Sequence, residues 1–319
     1  MWVVGKAEHR LLEGLRGVEL IEYDKRSGLR GMLRLRETLS RVLGKRRRFD
    51  VLMQMQVSAR ANLLSLFIPS RIKIGYDKAK SKEAHSLVIN RRIPRTGSRH
   101  VLDVIGSFCE PLGIQQTQVE WDFPLSAEAQ KWAQAQWPVD NTPTLLISPC
   151  SSHQLRNWRA ERYAAVADHA INRGWRVVLC GGRSDIERQT ADAIIAAMRG
   201  SVLDLVGKDT LKQLPALLAR ADLVMAPDSG PMHIANAVGT KVLGLHAATD
   251  STRSGPYSDR RYCVDRYEDA AQKYRGKSAV ELRWGSKIEQ NGVMDLITVE
   301  DAIASFERYV AHHTSNAFR

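Results

Sequence analysis

The six residues Asp228-Ser229-Gly230-Pro231-Met232-His233 are of types that could hold an anion. The apolar run Leu223-Val224-Met225 leads into them and reads as a strand. Ser229 and Gly230 suit a turn. Pro231 suits the first turn of a following helix, where its missing N–H is no loss. A helix that opens there offers free N–H groups and the positive end of its dipole to a phosphate, and Gly230 lets the ligand approach the backbone. His233 falls in the same first turn. Ser or Asp ahead of Pro also makes an ordinary helix cap, so this block alone is compatible with a purely structural role.

Two further segments carry related chemistry. Pro149-Cys150-Ser151-Ser152-His153-Gln154-Leu155-Arg156-Asn157-Trp158 follows the apolar Leu145-Leu146-Ile147. Ser151 and Ser152 supply hydroxyls, and Arg156 supplies a planar charged fork that fits a pyrophosphate. A solvated loop arginine is the plainer reading of Arg156. Trp158 is expected to pack beneath the loop. The third segment is Cys180-Gly181-Gly182-Arg183-Ser184-Asp185-Ile186-Glu187. Asp185, with Glu187 as an alternative, stands where nucleotide-binding folds accept ribose hydroxyls, although the same acids stabilise a helix start unaided. The segment is not G-x-G-x-x-G, and no G-x-x-x-x-G-K-[ST] occurs, so neither a dehydrogenase nor a P-loop NTPase gains support. No Asp-x-Asp pair is present, and neither a metal nor another cofactor is expected.

The elements that would position these residues alternate. The spacing predicts helices over 28–43, 59–67 and 101–112, and strands over 49–53 and 72–76. In the 28–43 helix the apolar positions are Leu29, Met32, Leu33, Leu39, Val42 and Leu43, with arginines elsewhere. A proline-bounded stretch over 121–143, with a short helix over 126–137, reads as a linker. Beyond it, strands over 145–147, 176–180, 202–205, 223–225 and 242–245 alternate with helices over 161–173, 185–198, 211–219 and 232–238. Gly174 and Gly239 read as left-handed caps. The fold expected is α/β: two doubly wound domains facing a cleft, the architecture called GT-B. The boundaries expected are 1–140 and 141–319, with a last helix from 299 to about 310 packing back on the first domain.

A chain of 319 residues, 44% of them hydrophobic, has room for two such cores. It holds no run of ~20 apolar residues. Its amino terminus lacks the basic-then-apolar pattern of a signal peptide. Cys109, Cys150, Cys180 and Cys263 form no C-x-x-C pair, which fits a reducing cytoplasm better than a zinc site. The net charge is +12, and ten basic residues over 25–48 face only Glu37. Such a patch, including Arg30, Arg34, Arg41, Arg46 and Arg47, attracts an anionic partner, although charge runs are often solvated faces. The rest of the chain is nearly balanced and carries no helix-turn-helix, zinc or RNA-binding motif, so no nucleic-acid partner is expected.

Together, the three segments in this order resemble glycosyltransferase family nine, the heptosyltransferases of lipopolysaccharide core synthesis. The resemblance runs from Trp2 to about Val310. It is most specific over 228–237, which ends Ile234-Ala235-Asn236-Ala237. Arg71-Ile72-Lys73-Ile74-Gly75-Tyr76-Asp77 and His100-Val101-Leu102-Asp103 add to it. It implies an ADP-heptose-like donor, a lipid A-Kdo acceptor and transfer with inversion. It implies that Ser151 and Ser152 touch the donor phosphates, that Arg156 neutralises the pyrophosphate, and that Asp185 or Glu187 meets the ribose. Lys208 and Asp209 would border the adenine. Asp228, Ser229, Gly230 and His233 would form the pyrophosphate and sugar site. The basic patch would belong to the acceptor side, in peripheral contact with the anionic inner face of the inner membrane.

The sequence also departs from the family. Members begin with a further strand, a Gly-Asp loop and a helix, and the aspartate of that loop is the proposed base. This chain begins at what resembles the second strand, so the first domain is expected to be incomplete at its amino terminus, a start placed too late or a truncated chain being the expected cause. The catalytic base has no match, and only Asp77 and Asp228 stand in for it. Two other readings follow from that gap: a non-catalytic sugar-nucleotide-binding homologue, and a nucleotide-sugar 2-epimerase.

Overall fold

Runs such as Thr144–Ile147, buried at every position, become strands because both of their faces are covered, as a parallel sheet between helices requires. The computed structural model of the protein describes residues 1–115 and 118–314. It divides into two compact units, Met1–Glu120 and Trp121–Arg319.

In the first unit, β1 (Trp2–Val4), α1 (Lys6–Leu11) and β2 (Leu20–Glu22) form a two-stranded parallel sheet with its connecting helix. Then come α2 (Gly28–Leu43), β3 (Phe49–Met53), α3 (Ala59–Leu66), β4 (Ser70–Gly75), β5 (Arg91–Arg92) and α4 (Val101–Gly106). Strands β3, β4 and β5 make a second parallel sheet. Helix α2 corrects its sequence reading in one respect. It buries Met32, Leu35, Leu39 and Leu43, whereas Leu29, Leu33 and Val42 are exposed. The buried set is the stripe repeating every three or four residues, and the other three fall outside it. The helix expected over 101–112 changes pitch after Gly106. Ser107–Leu112 is a 3-10 stretch containing Pro111, whose missing N–H cannot support the α ladder.

The second unit contains α5 (Ala127–Gln134), β6 (Thr144–Ile147), α6 (Ala160–Asn172), β7 (Arg176–Leu179), α7 (Asp185–Ala197), β8 (Leu203–Asp204), α8 (Leu214–Ala219), β9 (Leu223–Pro227), α9 (Gly230–Ala237), β10 (Lys241–His246), α10 (Ser251–Ser254), β11 (Val264–Asp265), α11 (Tyr267–Arg275) and α12 (Val299–Thr314). Its six parallel strands lie in the order β11-β10-β9-β6-β7-β8. Gly174 and Gly239 adopt φ of 80° and 93°, the left-handed caps that their positions suggest.

The segment over 121–140 belongs here rather than to the first unit. Ala129 and Ala133 of α5 pack on Ala216 of α8. The Arg220 guanidinium donates to the carbonyls of Ala133 and Trp137 and lies 4.2 Å over the Trp137 ring. The last helix, expected to reach back to the first domain, buries Ala302, Phe306 and Tyr309 in the core of the second unit. There Trp175 meets Phe306 edge-on at 4.9 Å, and the Tyr309 hydroxyl donates to the Asp222 carbonyl at 2.8 Å.

Candidate functional site

Strands β7 and β8 lie on one side of β6, and β9, β10 and β11 lie on the other. The chain therefore reverses its direction of build between β6 and β9, and the loops leaving these two strands diverge into a crevice. A cleft of about 410 Å³ is found there. Ser151, Ser152 and Gln154 line it from the loop after β6. Ser184, Ile186 and Glu187 line it from the start of α7, and Ser229, Gly230 and Pro231 from the start of α9. Five residues anticipated for donor contact (Ser151, Ser152, Glu187, Ser229 and Gly230) thus meet on one wall system. Gln154, Ser184 and Ile186 were not anticipated.

The two helix starts differ in a way that selects where an anion would sit. In α7, Ser184 caps the helix by accepting from the Glu187 N–H at 3.3 Å. The Glu187 carboxylate in turn accepts from the Gly182 N–H and the Ser184 hydroxyl, both at 2.7 Å. The Ser184-x-x-Glu187 spacing is that of a capping box, but Glu187 reaches the Gly182 N–H and the Ser184 hydroxyl and not the N-cap N–H. Glu187 faces the cleft but is committed to its own loop. Asp185 is exposed and does not line the cleft. In α9, by contrast, Ser229 makes no side-chain capping bond, and its hydroxyl is buried without a hydrogen-bond partner among the described residues. No acidic residue occupies the first turn of α9. The start of α9 is therefore the end with unanswered donors.

Asp228 sits at the end of β9. Its Oδ1 lies 3.3 Å from His233 Nε2, and its Oδ2 accepts from the Ser254 hydroxyl at 3.1 Å. Burial alone would raise its pKa. The hydrogen bond and charge of His233, with the Thr249 hydroxyl, outweigh burial and hold the carboxyl well below the usual range. So stable a carboxylate is a weak proton acceptor, which counts against Asp228 as the base. Behind it, His246 is fully buried, and burial pushes its pKa down.

Other anticipated residues are placed differently. Arg156 is only 8% exposed and does not line the cleft. Its Nε and Nη2 both donate to Glu289 Oε1, at 2.9 and 2.7 Å. The guanidinium expected to close on a diphosphate is thus held by a carboxylate 133 residues away in the chain. Lys287, also missed, has its pKa lowered by burial and then by the charge of Arg156. No local sequence pattern reveals Lys287 or Glu289, because they lie in an irregular stretch. Trp158 packs as expected, 3% exposed, with its indole N–H donating to the Ile297 carbonyl. Asp77, the other candidate base, is buried, bonded to Lys80 Nζ at 2.9 Å, and accepts from the Ala79 N–H at 2.8 Å. Burial raises its pKa, but Lys80 more than compensates and the net shift is downward, so the carboxylate serves its loop rather than proton transfer. Among the described residues, no group of three or more His, Cys, Asp or Glu side chains is placed to hold a metal ion.

Lys208 is exposed and donates to the Asp204 carbonyl at 2.6 Å. Asp209 has its pKa raised to about 6, first by burial and then by the charge of Glu187. The sign follows from linkage. A carboxyl with a folded-state pKa above its ordinary 3.8 penalises the folded state when ionised. The penalty is absent below about pH 4 and complete above about pH 6. Asp209→Asn is therefore expected to stabilise the protein by on the order of 1 kcal/mol at pH 7.5, after allowance for solvent screening, and by nothing near pH 4. Urea unfolding of both forms across that range checks this; a gain that does not fade in acid contradicts it.

A parallel sheet with a crevice at its reversal point and an uncapped helix start in it defines an α/β protein of the kind that binds ligands at strand carboxyl ends. The sequence pattern of glycosyltransferase family 9 (heptosyltransferase) matches residues 33–284. The chain is 38% identical to the lipopolysaccharide core heptosyltransferase OpsX of Haemophilus influenzae, over 96% of this chain and 87% of that protein. Two solved structures share its fold. One is a glycosyl transferase family 9 protein of Veillonella parvula, with TM-score 0.77 and 20% identity over 97% of this chain and 88% of the other. The second is the Escherichia coli heptosyltransferase WaaC with ADP, with TM-score 0.69 and 18% identity over 97% and 89%. This chain belongs to glycosyltransferase family 9, the heptosyltransferases, and has their α/β GT-B fold.

Proposed function

We propose that this chain moves heptose from an ADP-heptose donor to the Kdo or heptose inner core of lipopolysaccharide, with inversion at the anomeric carbon. The observation that carries the reading is the uncapped start of α9, facing Ser151 and Ser152 across the cleft, in a chain of this family. In this reading the diphosphate meets the α9 amides and the two serine hydroxyls. An acceptor hydroxyl attacks as ADP leaves, and the positive helix end stabilises the charge that the leaving group gains. Ile186, 42% exposed on the cleft wall, offers an apolar face to the adenine. The acceptor's phosphates and carboxylates are met by Arg30, Arg34, Arg41, Arg46 and Arg47, all exposed. The enzyme works in the cytoplasm, against the inner leaflet. No helix among the described residues is long and apolar enough to cross a membrane.

The test is a transfer assay with ADP-heptose and a lipid A-Kdo acceptor, alongside calorimetry with ADP alone. Turnover with ADP-heptose, and ADP binding weakened at least ~10-fold by Ser152→Asp, are expected, since a carboxylate beside the diphosphate opposes it. ADP affinity untouched by Ser152→Asp removes this cleft from the reading.

A further inference from the structure

The outward face of α2 carries a pattern that the donor cleft does not use. Leu29 and Leu33, one turn apart, are 64% and 55% exposed. Both lie off the core-facing stripe of Met32, Leu35, Leu39 and Leu43. Arg30 and Arg34 flank the pair on one side along the helix surface, and Arg36 lies on the other. All three are exposed. Arg41, paired with Glu37, extends the basic row, and Lys45, Arg46, Arg47 and Arg48 continue it past the helix end.

Single exposed leucines need no explanation. Two on adjacent turns inside a rim of guanidinium groups are a different arrangement. It is the one by which a helix lies in a lipid interface, with apolar side chains at the acyl boundary and long basic side chains reaching back to the phosphates. A soluble anion or an acidic protein surface would engage the arginines but leave the leucines in water. The charge complementarity therefore points to a partner with anionic headgroups above and hydrocarbon below.

We propose that α2 lies in the interface of an anionic phospholipid bilayer, with Leu29 and Leu33 among the acyl chains and Arg30, Arg34 and Arg36 at the phosphates. This deepens the membrane contact in the proposed function, and rests on that reading only in making the bilayer the place where the acceptor is found. It also changes what salt should do. A purely electrostatic contact dissolves at high ionic strength, whereas an inserted leucine pair leaves a residual affinity.

The test is co-sedimentation of the full chain with vesicles of phosphatidylcholine and phosphatidylglycerol in equal parts. The unaltered chain is expected to bind these and to bind pure phosphatidylcholine vesicles at least ~10-fold more weakly, because each basic residue gains from the anionic surface. Leu29→Ser/Leu33→Ser is expected to weaken partitioning at least ~10-fold, the worth of two apolar side chains withdrawn from the acyl boundary, with ADP affinity and thermal unfolding unchanged. A second arm compares Leu29→Trp with the unaltered chain and expects its added indole emission to be quenched by brominated acyl chains. Vesicle binding that the leucine changes leave intact overturns the proposal. So does an added emission in the Leu29→Trp form that brominated lipid leaves unquenched, and so does failure of the unaltered chain to bind. Vesicle binding as expected, with no transfer from ADP-heptose, would instead remove the enzymatic reading and leave this one standing.

Discussion

Arg156→Ala is expected to lower kcat at saturating ADP-heptose by at least ~10-fold, the loss of one preorganised charged contact to a departing diphosphate. The structure sets a condition on this expectation, because the guanidinium does not line the cleft and is already engaged, so a direct contact requires it to leave Glu289. Glu289 takes its Nε and Nη2 edge, in a site where Arg156 is 8% exposed. Within the proposed function, the ion pair does two things. It holds the guanidinium in one rotamer beside the loop after β6. It also keeps the Glu289 carboxylate neutralised for as long as Arg156 is present. Removing the arginine alone therefore subtracts a positive charge and releases a negative one, so donor affinity should fall together with kcat. The double change Arg156→Ala/Glu289→Gln separates the two effects. It should restore much of the donor affinity, because the freed carboxylate is gone, while kcat stays low, because the charge opposite the leaving group is still missing. Steady-state kinetics of the four forms of this cycle decide the matter. Unchanged kcat in Arg156→Ala makes the arginine a structural partner of Glu289 and nothing more.

The pairing of Arg156 with Glu289 also marks where the sequence stops being legible. Elements with strong local signals were readable: β6, β9 and α9 from their apolar runs and the proline at the helix start, and Gly174 and Gly239 from their cap positions. That Ser151, Ser152, Ser229 and Gly230 share a site was implied by the family resemblance and not by any local pattern, and the strand order brings their loops together. What failed to show were contacts made by irregular chain. Lys287 and Glu289 follow Trp284-Gly285-Ser286 in a stretch with no period, and nothing in their spacing says that they return to the loop after β6. Leu29 and Leu33 misled for a different reason. A helix with leucines on more than one face shows periodicity but not which stripe is buried, and only packing against β2 and α3 residues such as Ile21 and Leu64 settles that. The placing of α5 in the second unit rests likewise on contacts of Ala129 and Ala133 that alanines advertise weakly.

Asp228→Ala is expected to cost about 2–3 kcal/mol of stability at pH 7, more than the exposed His233 partner alone would suggest. The carboxylate answers several groups at once: His233 Nε2 at 3.3 Å, the Ser254 hydroxyl at 3.1 Å, and the Thr249 hydroxyl. Thr249 and Ser254 are themselves buried, so alanine leaves their hydroxyls only the longer contacts to His246 Nδ1 at 3.3 Å and the Asp250 carbonyl at 3.4 Å, whereas half-exposed His233 recovers solvation and contributes less. Asp228→Asn isolates the charge from the shape. Because the folded-state pKa of Asp228 is depressed, its contribution is fully present above the unfolded pKa near 3.8 and is lost as pH falls towards the folded value. The asparagine form should therefore be less stable than the parent at pH 7 and should close that gap as pH drops below about 4. The consequence for function runs through geometry. Asp228 ties the end of β9 to α10 through Ser254 and orients His233 in the first turn of α9, so its loss loosens the helix start on which the donor reading depends. ADP affinity should fall in both variants by a similar factor if Asp228 acts by holding that turn. If the asparagine form binds ADP as the parent does while the alanine form fails, the shape of the side chain matters and its charge does not.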